Sequence, residues 1–441
     1  MTVAGQPTVT YTYDSANRLT TITQGSSTVT IAYDDADLRT SLTLLNGNSL
    51  IYSYDAASQL TAITYKSGAT VIGDLTYTYD AAGNRIKQGG AFARTTIPPA
   101  LATASYNGNN QQTTFGTNTL TYDFNGNLQT VTDAGGTATY SWNARNQLAG
   151  ISATGFAASF SYDSFGRRTG KTIQGTTTNF VYDGLNPVQE KAGATVTANL
   201  LTGLGIDEFL TRTDGVGSRA LLTDALGSTI ALGDGTGTLQ TQYTYEPFGY
   251  VTQSGSANTN SYKYTGREDD GSGLYYYRAR YYHPRLQRFI SEDPLGFGGG
   301  DANLYGYVGG NPLTWRDPLG QFVAALPLLP PIIGAAVDAA IAAGGIIAGG
   351  IAGQIISNVI NSQDRPPAGS LPIDKTPWSG DHNDIKAGVG ARPNDNVKIS
   401  PSQDVWVQNP DGSWTNAGQA SDYTGSGKPS GRRGKDREKC K

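Results

Sequence analysis

YTYDSANRLTTIT, residues 11–23, pairs two aromatics with an acid, passes through a small polar turn and returns on Leu and Thr. Tyr11 and Tyr13 fall on one face of an extended segment, because side chains alternate along a strand. Ser15-Ala16-Asn17 supplies turn chemistry, and Leu19, Thr21 and Thr23 are expected to share a face of the return strand. The same unit recurs as YSYDAASQLTAIT from Tyr52, YTYDAAGNRIKQ from Tyr77, LTYDFNGNLQTVT from Leu120, YSWNARNQLAGIS from Tyr140, FSYDSFGRRTGKT from Phe160 and FVYDGLNPVQEK from Phe180. Looser copies begin at Ile31, Leu221 and Tyr243. Most copies are spaced by about 20 residues, room for two strands and two turns.

One hairpin has little to bury, but about ten in series can form a long continuous antiparallel sheet that rolls up through its own twist. A β-solenoid or a propeller, whose blades combine pairs of such units, is the other architecture this period allows. The regular tyrosines are expected to be packing residues with their hydroxyls toward water. Composition agrees with an all-β chain: 57 Gly, 26 Tyr and only 15% charged residues among 441.

The net charge of −4 does not imply a nucleic-acid partner for the whole chain, although the tail from Lys428 to Lys441 carries seven basic residues against Asp436 and Glu438. The lone Cys440 excludes an internal disulfide, and with His283 and His382 it makes a Cys/His zinc site untenable. No metal and no cofactor is expected. The opening MTVAGQPTVTYTYD lacks the charged and apolar regions of a signal peptide. It runs almost directly into a repeat, so the chain is expected to be the C-terminal part of something longer.

Outward from the repeats, residues 275–321 read YYYRARYYHPRLQRFISEDPLGFGGGDANLYGYVGGNPLTWRDPLGQ. This stretch holds the chain's two Asp-Pro-Leu-Gly tetrapeptides, 293–296 and 317–320. Proline restrains the preceding Asp to extended backbone, so two such copies can present matching carboxyls. Aspartic proteolysis needs two carboxyls near enough to share a proton, one activating water and the other protonating the carbonyl. Two plain turns, each opened by Asp and closed by Gly, are the other reading.

The YD repeats, with Tyr264-Thr265-Gly266-Arg267-Glu268, the run 274–282, Arg288-Phe289-Ile290-Ser291, Asn303-Leu304-Tyr305, Tyr307, Asn311-Pro312 and both Asp-Pro-Leu-Gly units, resemble the Rhs (rearrangement hotspot) and YD-repeat proteins. The resemblance covers about seventy per cent of the chain, residues 8 to 321. It implies a hollow β-cocoon (residues 1–260) around the C-terminal polypeptide, and a repeat-associated core (261–321) acting as an intramolecular aspartic-type protease. The implied dyad is Asp293 and Asp317 with Arg280 as supporting cation. The implied cut lies between Gln321 and Phe322, releasing a toxic tip into a target cytoplasm. It further implies a cognate immunity protein and a specialised secretion machinery as partners. Two positions depart from the family pattern: Gln321 stands where Leu is usual, and His283 where an Asp precedes Pro. His283 is either a second catalytic base or a surface turn residue.

Residues 322–361 are an apolar Pro/Ala/Gly segment. Its stretch 332–360 has a single charge, Asp338, with Gly345, Gly349 and Gly353 at four-residue spacing, so it is expected to be a helix that is sheltered by the cocoon or makes transient membrane contact. Residues 362–441 are expected to be a small α+β tip, with a short helix starting between Asp381 and Lys386 and a hairpin turning at 409–412. A metal-independent ribonuclease needs a base for the 2′-hydroxyl and cations for the phosphorane. His382, Asp384, Lys386, Lys428, Arg432 and Arg433 are the candidates, with Asp381, Tyr423 and Ser426 nearby, and RNA is the expected ligand of the basic tail. The alternatives are a DNase, a nucleotide-modifying enzyme or pore-forming tip, or a YD-repeat surface protein with no enzymatic role.

Overall fold

The computed structural model describes residues 1–321, 371–377, 382–389, 396–399, 403–408 and 414–423. The chain separates into two compact units, Met1–Gly349 and Gly350–Lys441. The first is the all-β antiparallel structure expected from the repeats. Each strand pairs with the next in chain order, in an eight-stranded sheet from Val9–Tyr13 to Arg85–Gly89 and a sixteen-stranded sheet from Ala104–Tyr106 to Val251–Gly255.

Two sheets stand where a single continuous one was expected, and the connecting residues explain the break. Phe92 leaves the ladder to bury its ring edge-on against Tyr65, 5.2 Å between centroids, over the space left by Gly73. Thr95 then bridges to Tyr245 of the second sheet, and Pro98-Pro99 offers no N–H with which to resume pairing. The sheets share a core in which Ile22, Leu50 and Leu75 of the first meet Leu201, Leu222 and Ile230 of the second. Truncating a fully buried leucine such as Leu50 costs about 2–5 kcal/mol.

The YD turn has a defined chemistry. Asp14 Oδ1 accepts the N–H groups of Ala16 (3.0 Å) and Arg18 (2.9 Å). Asp34, Asp55, Asp80, Asp123, Asp163 and Asp224 repeat the pair of bonds. The fourth turn residue is left-handed, as at Asn17 (φ 60°) and Gly83 (φ 81°), which is why Asn and Gly recur there. A bulge follows each turn: Tyr13 pairs with Leu19 but Thr12 with Thr21. The extra residue re-aims the strand, so Leu19 and Ile22 are buried, not the alternating set Leu19, Thr21 and Thr23.

The tyrosines are packing residues; among the described residues only Tyr13 and Tyr106 are exposed. Their hydroxyls differ from expectation. Tyr33, Tyr54, Tyr79, Tyr162 and Tyr182 donate to the carbonyls of Leu19, Arg39, Leu60, Leu148 and Arg168, each in the preceding unit, at 2.7–3.0 Å. Trp142 Nε1 makes the same bond to Leu128. Each unit is stitched to its predecessor, which satisfies a half-buried phenol better than pointing it outward.

Residues 261–321 fold against the second sheet. Four short strands, Glu268–Asp269, Tyr275–Tyr277, Arg280–His283 and Arg288–Phe289, form a separate antiparallel sheet. Its Tyr276, Tyr281 and Ile290 pack on Leu128, Leu148 and Ile151 of the shell. Arg168 of the shell is wholly buried, bonded to Glu268 (2.5 Å) and Asp270 (2.6 Å), with its guanidinium 4.2 Å from the centroid of the Tyr276 ring. Removing one partner of such a buried pair costs about 3–5 kcal/mol, so shell and core are tied tightly.

In the second unit, Leu371–Pro372, Val397–Ile399, Asp404–Gln408 and Trp414–Gln419 form a four-stranded antiparallel sheet beside the helix His382–Gly388. Ile373, Ile385, Val397, Ile399, Val405 and Ala420 make its core. The expected α+β class and short helix are present, and Asp404–Gln408 pairs antiparallel with Trp414–Gln419 as the expected hairpin requires; its turn, 409–412, lies outside the described residues. The apolar segment 322–361 lies outside the described residues. Among the described residues no helix is long and apolar enough to cross a membrane.

Candidate functional site

The strand Arg280–His283 presents Arg280 to both Asp-Pro-Leu-Gly units. Its Nη2 lies 2.9 Å from Asp293 Oδ2 and 3.4 Å from Asp317 Oδ2, with side chains 3%, 9% and 2% exposed for Arg280, Asp293 and Asp317. The three residues implied by the resemblance therefore meet, with both carboxyls on one nitrogen of the cation. The guanidinium is fixed on its other sides by the carbonyls of Gly320 (2.5 Å to Nε) and Leu304 (3.0 Å to Nη1), and by the Phe289 ring, 3.7 Å from its centroid.

Three carbonyls of the second tetrapeptide are held by the hairpin turn before this strand and by the strand's first residue. Arg278 Nη1 donates to Pro318, the Ala279 N–H to Leu319 (3.1 Å) and Arg280 Nε to Gly320. Asp317 Oδ1 in turn accepts the N–H groups of Gly320 (2.8 Å) and Gln321 (3.1 Å). Gly320 adopts φ 67° and packs on the Tyr277 carbonyl so closely that a methyl group there would collide with backbone. Only glycine fits.

That grip sets the position of the next carbonyl. A methyl on Gly299 would stand 2.7 Å from Asp293 Oδ2 and 3.0 Å from the carbonyl oxygen of Gln321, so the acid and the carbonyl flank one point. Asp293 Oδ1 accepts the Leu295 N–H at 2.8 Å, which leaves Oδ2 to face Arg280 and this point. Burial pushes the Asp293 carboxyl above its ordinary range, against the opposing pull of Arg280. Burial also draws Arg280 down, with Asp317 and Asp293 opposing it; a guanidinium stays charged throughout the accessible pH range.

His283 lies at the end of the same strand. Its Nδ1 accepts the Leu286 N–H at 3.2 Å, the bond of a turn, and burial pushes its imidazole down to about 4. Phe322 lies outside the described residues, so of the bond expected to be cut only the Gln321 side is placed. In the tip, His382 begins the helix His382–Gly388, with Asp384 exposed and Lys386 buried. Asp381, Ser426, Lys428, Arg432 and Arg433 lie outside the described residues. The Tyr423 hydroxyl donates to the Ala417 carbonyl. Among the described residues no cluster of His, Cys, Asp or Glu has the makings of a metal site.

Sequence reasoning missed Gly299, the Leu304 carbonyl and Arg278. The first two act through backbone that no motif reveals. Arg278, the first arginine of Tyr277-Arg278-Ala279-Arg280, was visible as a cation two residues from Arg280, and its left-handed φ of 60° marks the hairpin turn.

The teneurin YD-shell family model matches residues 40–299. Toxin subunit YenC1 of Yersinia entomophaga is 41% identical over 92 residues, 20% of this chain and 9% of that protein. The tRNA nuclease WapA of Bacillus subtilis is 39% identical over 107 residues, 23% of this chain and 5% of that protein. Toxin protein Tse5 of Pseudomonas aeruginosa is 38% identical over 114 residues, 26% of this chain and 8% of that protein. The matched segments thus span under a tenth of each of these relatives. Among solved structures, the TcdB2-TccC3-Cdc42 crystal structure superposes with TM-score 0.54 at 21% identity, over 74% of this chain and 21% of that one. The Photorhabdus luminescens Tc holotoxin pore does so with TM-score 0.53 at 21% identity, over 73% of this chain and 21% of that one. At that identity the likeness is one of fold. With over half its length matched by the family model and toxin relatives at about 40% identity, the chain belongs to the teneurin YD-shell family and is an Rhs/YD-repeat protein.

Proposed function

We propose that this chain is the shell and release site of a delivered toxin, and that it cuts itself once, between Gln321 and Phe322. One observation supports the reading: a buried carboxyl whose protonated form burial favours borders the same point beside Gly299 as the Gln321 carbonyl oxygen, with a second carboxylate on the same arginine. Asp293 is the acid that protonates the Gln321 oxygen. Asp317 takes a proton from the water that attacks the Gln321 carbon, and Arg280 offsets the charge of the two carboxyls. Collapse of the tetrahedral intermediate breaks the Gln321–Phe322 bond, the amine leaves with a proton, and one water is consumed. The test is the chain itself on a denaturing gel. A C-terminal piece of about 120 residues, roughly 13 kDa at ~110 Da per residue for a small domain, is expected from the wild type, and one intact band from Asp317→Asn.

The tip is read as a metal-independent ribonuclease with His382 as base and Lys428, Arg432 and Arg433 as phosphate-holding cations; Lys386, expected to join them, is buried and so is left out. The naming of the WapA relative as a tRNA nuclease supports a nucleic-acid target. Another relative, 34% identical over 164 residues, is named double-stranded DNA deaminase toxin A, of Burkholderia cenocepacia, which supports DNA as the second reading. A protein of this design needs a cognate immunity protein in the producing cell and a secretion machinery to carry it out. Producing residues 362–441 in bacteria is expected to arrest growth with degraded RNA, relieved by His382→Ala. Arrest with intact RNA and altered DNA favours the second reading, and a harmless tip contradicts both.

A further inference from the structure

The cleavage peptide does not rest on the core alone. Asp207 belongs to the shell, in the loop joining the strands Thr195–Thr202 and Phe209–Asp214. It is buried and left-handed, φ 64°, and its N–H is held by Asn186 Oδ1 at 2.8 Å, so the loop is locked to the preceding shell turn. Its carboxylate reaches into the core. Oδ1 accepts Arg267 Nη1 (2.5 Å) and Arg278 Nη2 (2.8 Å), while Oδ2 accepts Arg278 Nη1 (3.1 Å).

Both arginines pass that constraint on. Arg267 donates through Nε (2.9 Å) and Nη2 (2.5 Å) to the Tyr276 carbonyl, fixing the hairpin that carries Arg280. Arg278 spans shell and cleavage peptide, giving Nη2 to the shell's Leu185 carbonyl (3.1 Å) and Nη1 to the Pro318 carbonyl. Gly266, at φ 72°, lets the Asp207 backbone approach: a methyl there would lie 2.6 Å from the Asp207 oxygen. A bidentate carboxylate–guanidinium contact fixes direction as well as distance, which a lysine cannot reproduce. Burial pushes the Asp207 carboxyl up, but Arg267 and Arg278 hold it below the ordinary carboxylate range.

We infer that Asp207 is a positioning residue for self-cleavage: through Arg278 it sets the register of residues 317–321, so that the cut follows only when this shell loop has docked on the core. The inference rests on the autoproteolytic reading above. It makes shell assembly a precondition of release, because the shell's Asp207 holds the Arg278 guanidinium that in turn holds the Pro318 carbonyl, three residues before Gln321.

The experiment is a time course of self-cleavage of the full chain after refolding from denaturant, read on gels and by intact mass, with thermal midpoints measured in uncleavable Asp317→Asn backgrounds. Asp207→Asn and Arg278→Lys are each expected to slow cleavage about 10-fold or more, because a small misplacement of the reacting carbonyl is costly. The double variant is expected to be no slower than the worse single one, since both act through one clamp. Glu190→Gln is the control: it breaks a different buried shell pair, with Arg212 (2.7 Å), outside the loop that carries Asp207, and its rate is expected to stay within about 2-fold. Arg278→Lys is expected to slow the cut with the midpoint unchanged, which a purely structural role does not produce. Wild-type cleavage with an Asp207→Asn rate equal to it overturns the inference alone. Multiplying effects in the double variant, in step with falling midpoints, overturn it as well. A wild-type chain that never cuts overturns the autoproteolytic reading, and the inference with it.

Discussion

The tetrapeptides 293–296 and 317–320 have the same sequence and opposite surroundings. In the first, the Asp293 carboxyl caps a local turn through the Leu295 N–H, and Gly296, at φ 57°, faces open space. In the second, Asp317 is nearly fully buried and caps the two N–H groups that lead to Gln321, and Gly320 is pressed against the Tyr277 carbonyl. Asp-Pro-Leu-Gly is thus a turn that delivers a carboxyl; what the carboxyl then does is decided by the strand Arg280–His283 packed against it. In the autoproteolytic reading proposed above, one copy supplies an acid beside the reacting carbonyl and the other is part of the peptide to be cut.

The largest effect that can break this comparison is a methyl group on each glycine. Gly320→Ala meets both a left-handed backbone and the Tyr277 carbonyl, and is expected to abolish cleavage. Gly296→Ala carries only the left-handed penalty, about 1 kcal/mol, and is expected to cleave normally. Equal behaviour of the two in a refolding time course contradicts the asymmetry.

The pH dependence of cleavage sharpens it. Because burial raises the Asp293 carboxyl in the folded chain, its acid form persists above the ordinary value of 3.8. The rate is expected to fall as pH rises through that elevated value, and to fall at the acid end as well, where Asp317 is protonated and can no longer act as base. Stability carries the same sign at this residue, present at low pH and lost as Asp293 ionises in the folded state. A rate that instead rises as pH passes through that elevated value contradicts Asp293 as the acid.

The smallest effect concerns His283, on the strand that carries Arg280. Its imidazole is held neutral, so the stability it contributes is present above 6.5 and is lost as pH falls toward about 4. His283→Gln is expected to flatten the thermal-midpoint profile across that window and to leave the cleavage profile in place. A changed cleavage profile makes His283 a participant.

The all-β fold and its repeat were legible because they rest on local chemistry: the Asp of each YD caps its own turn, and aromatics alternate beside it. The bulge after each turn was not legible, since Leu19 and Thr21 look alike in pattern until the extra residue re-aims the strand. The break between the two sheets depended on Phe92 finding Tyr65, a tertiary contact. At the site, Asp293, Asp317 and Arg280 were readable from the resemblance. Gly299 and the Leu304 carbonyl were not, because they contribute backbone. Asp207 was hidden by distance, lying 110 residues before Asp317 in an ordinary-looking loop.

The most direct test of the account is the N-terminal sequence and mass of the C-terminal fragment, taken from the wild type, Asp293→Asn and Asp317→Asn in parallel. The account predicts a fragment beginning at Phe322 from the wild type and full-length chain from both variants. A fragment of the same mass and start from all three contradicts it.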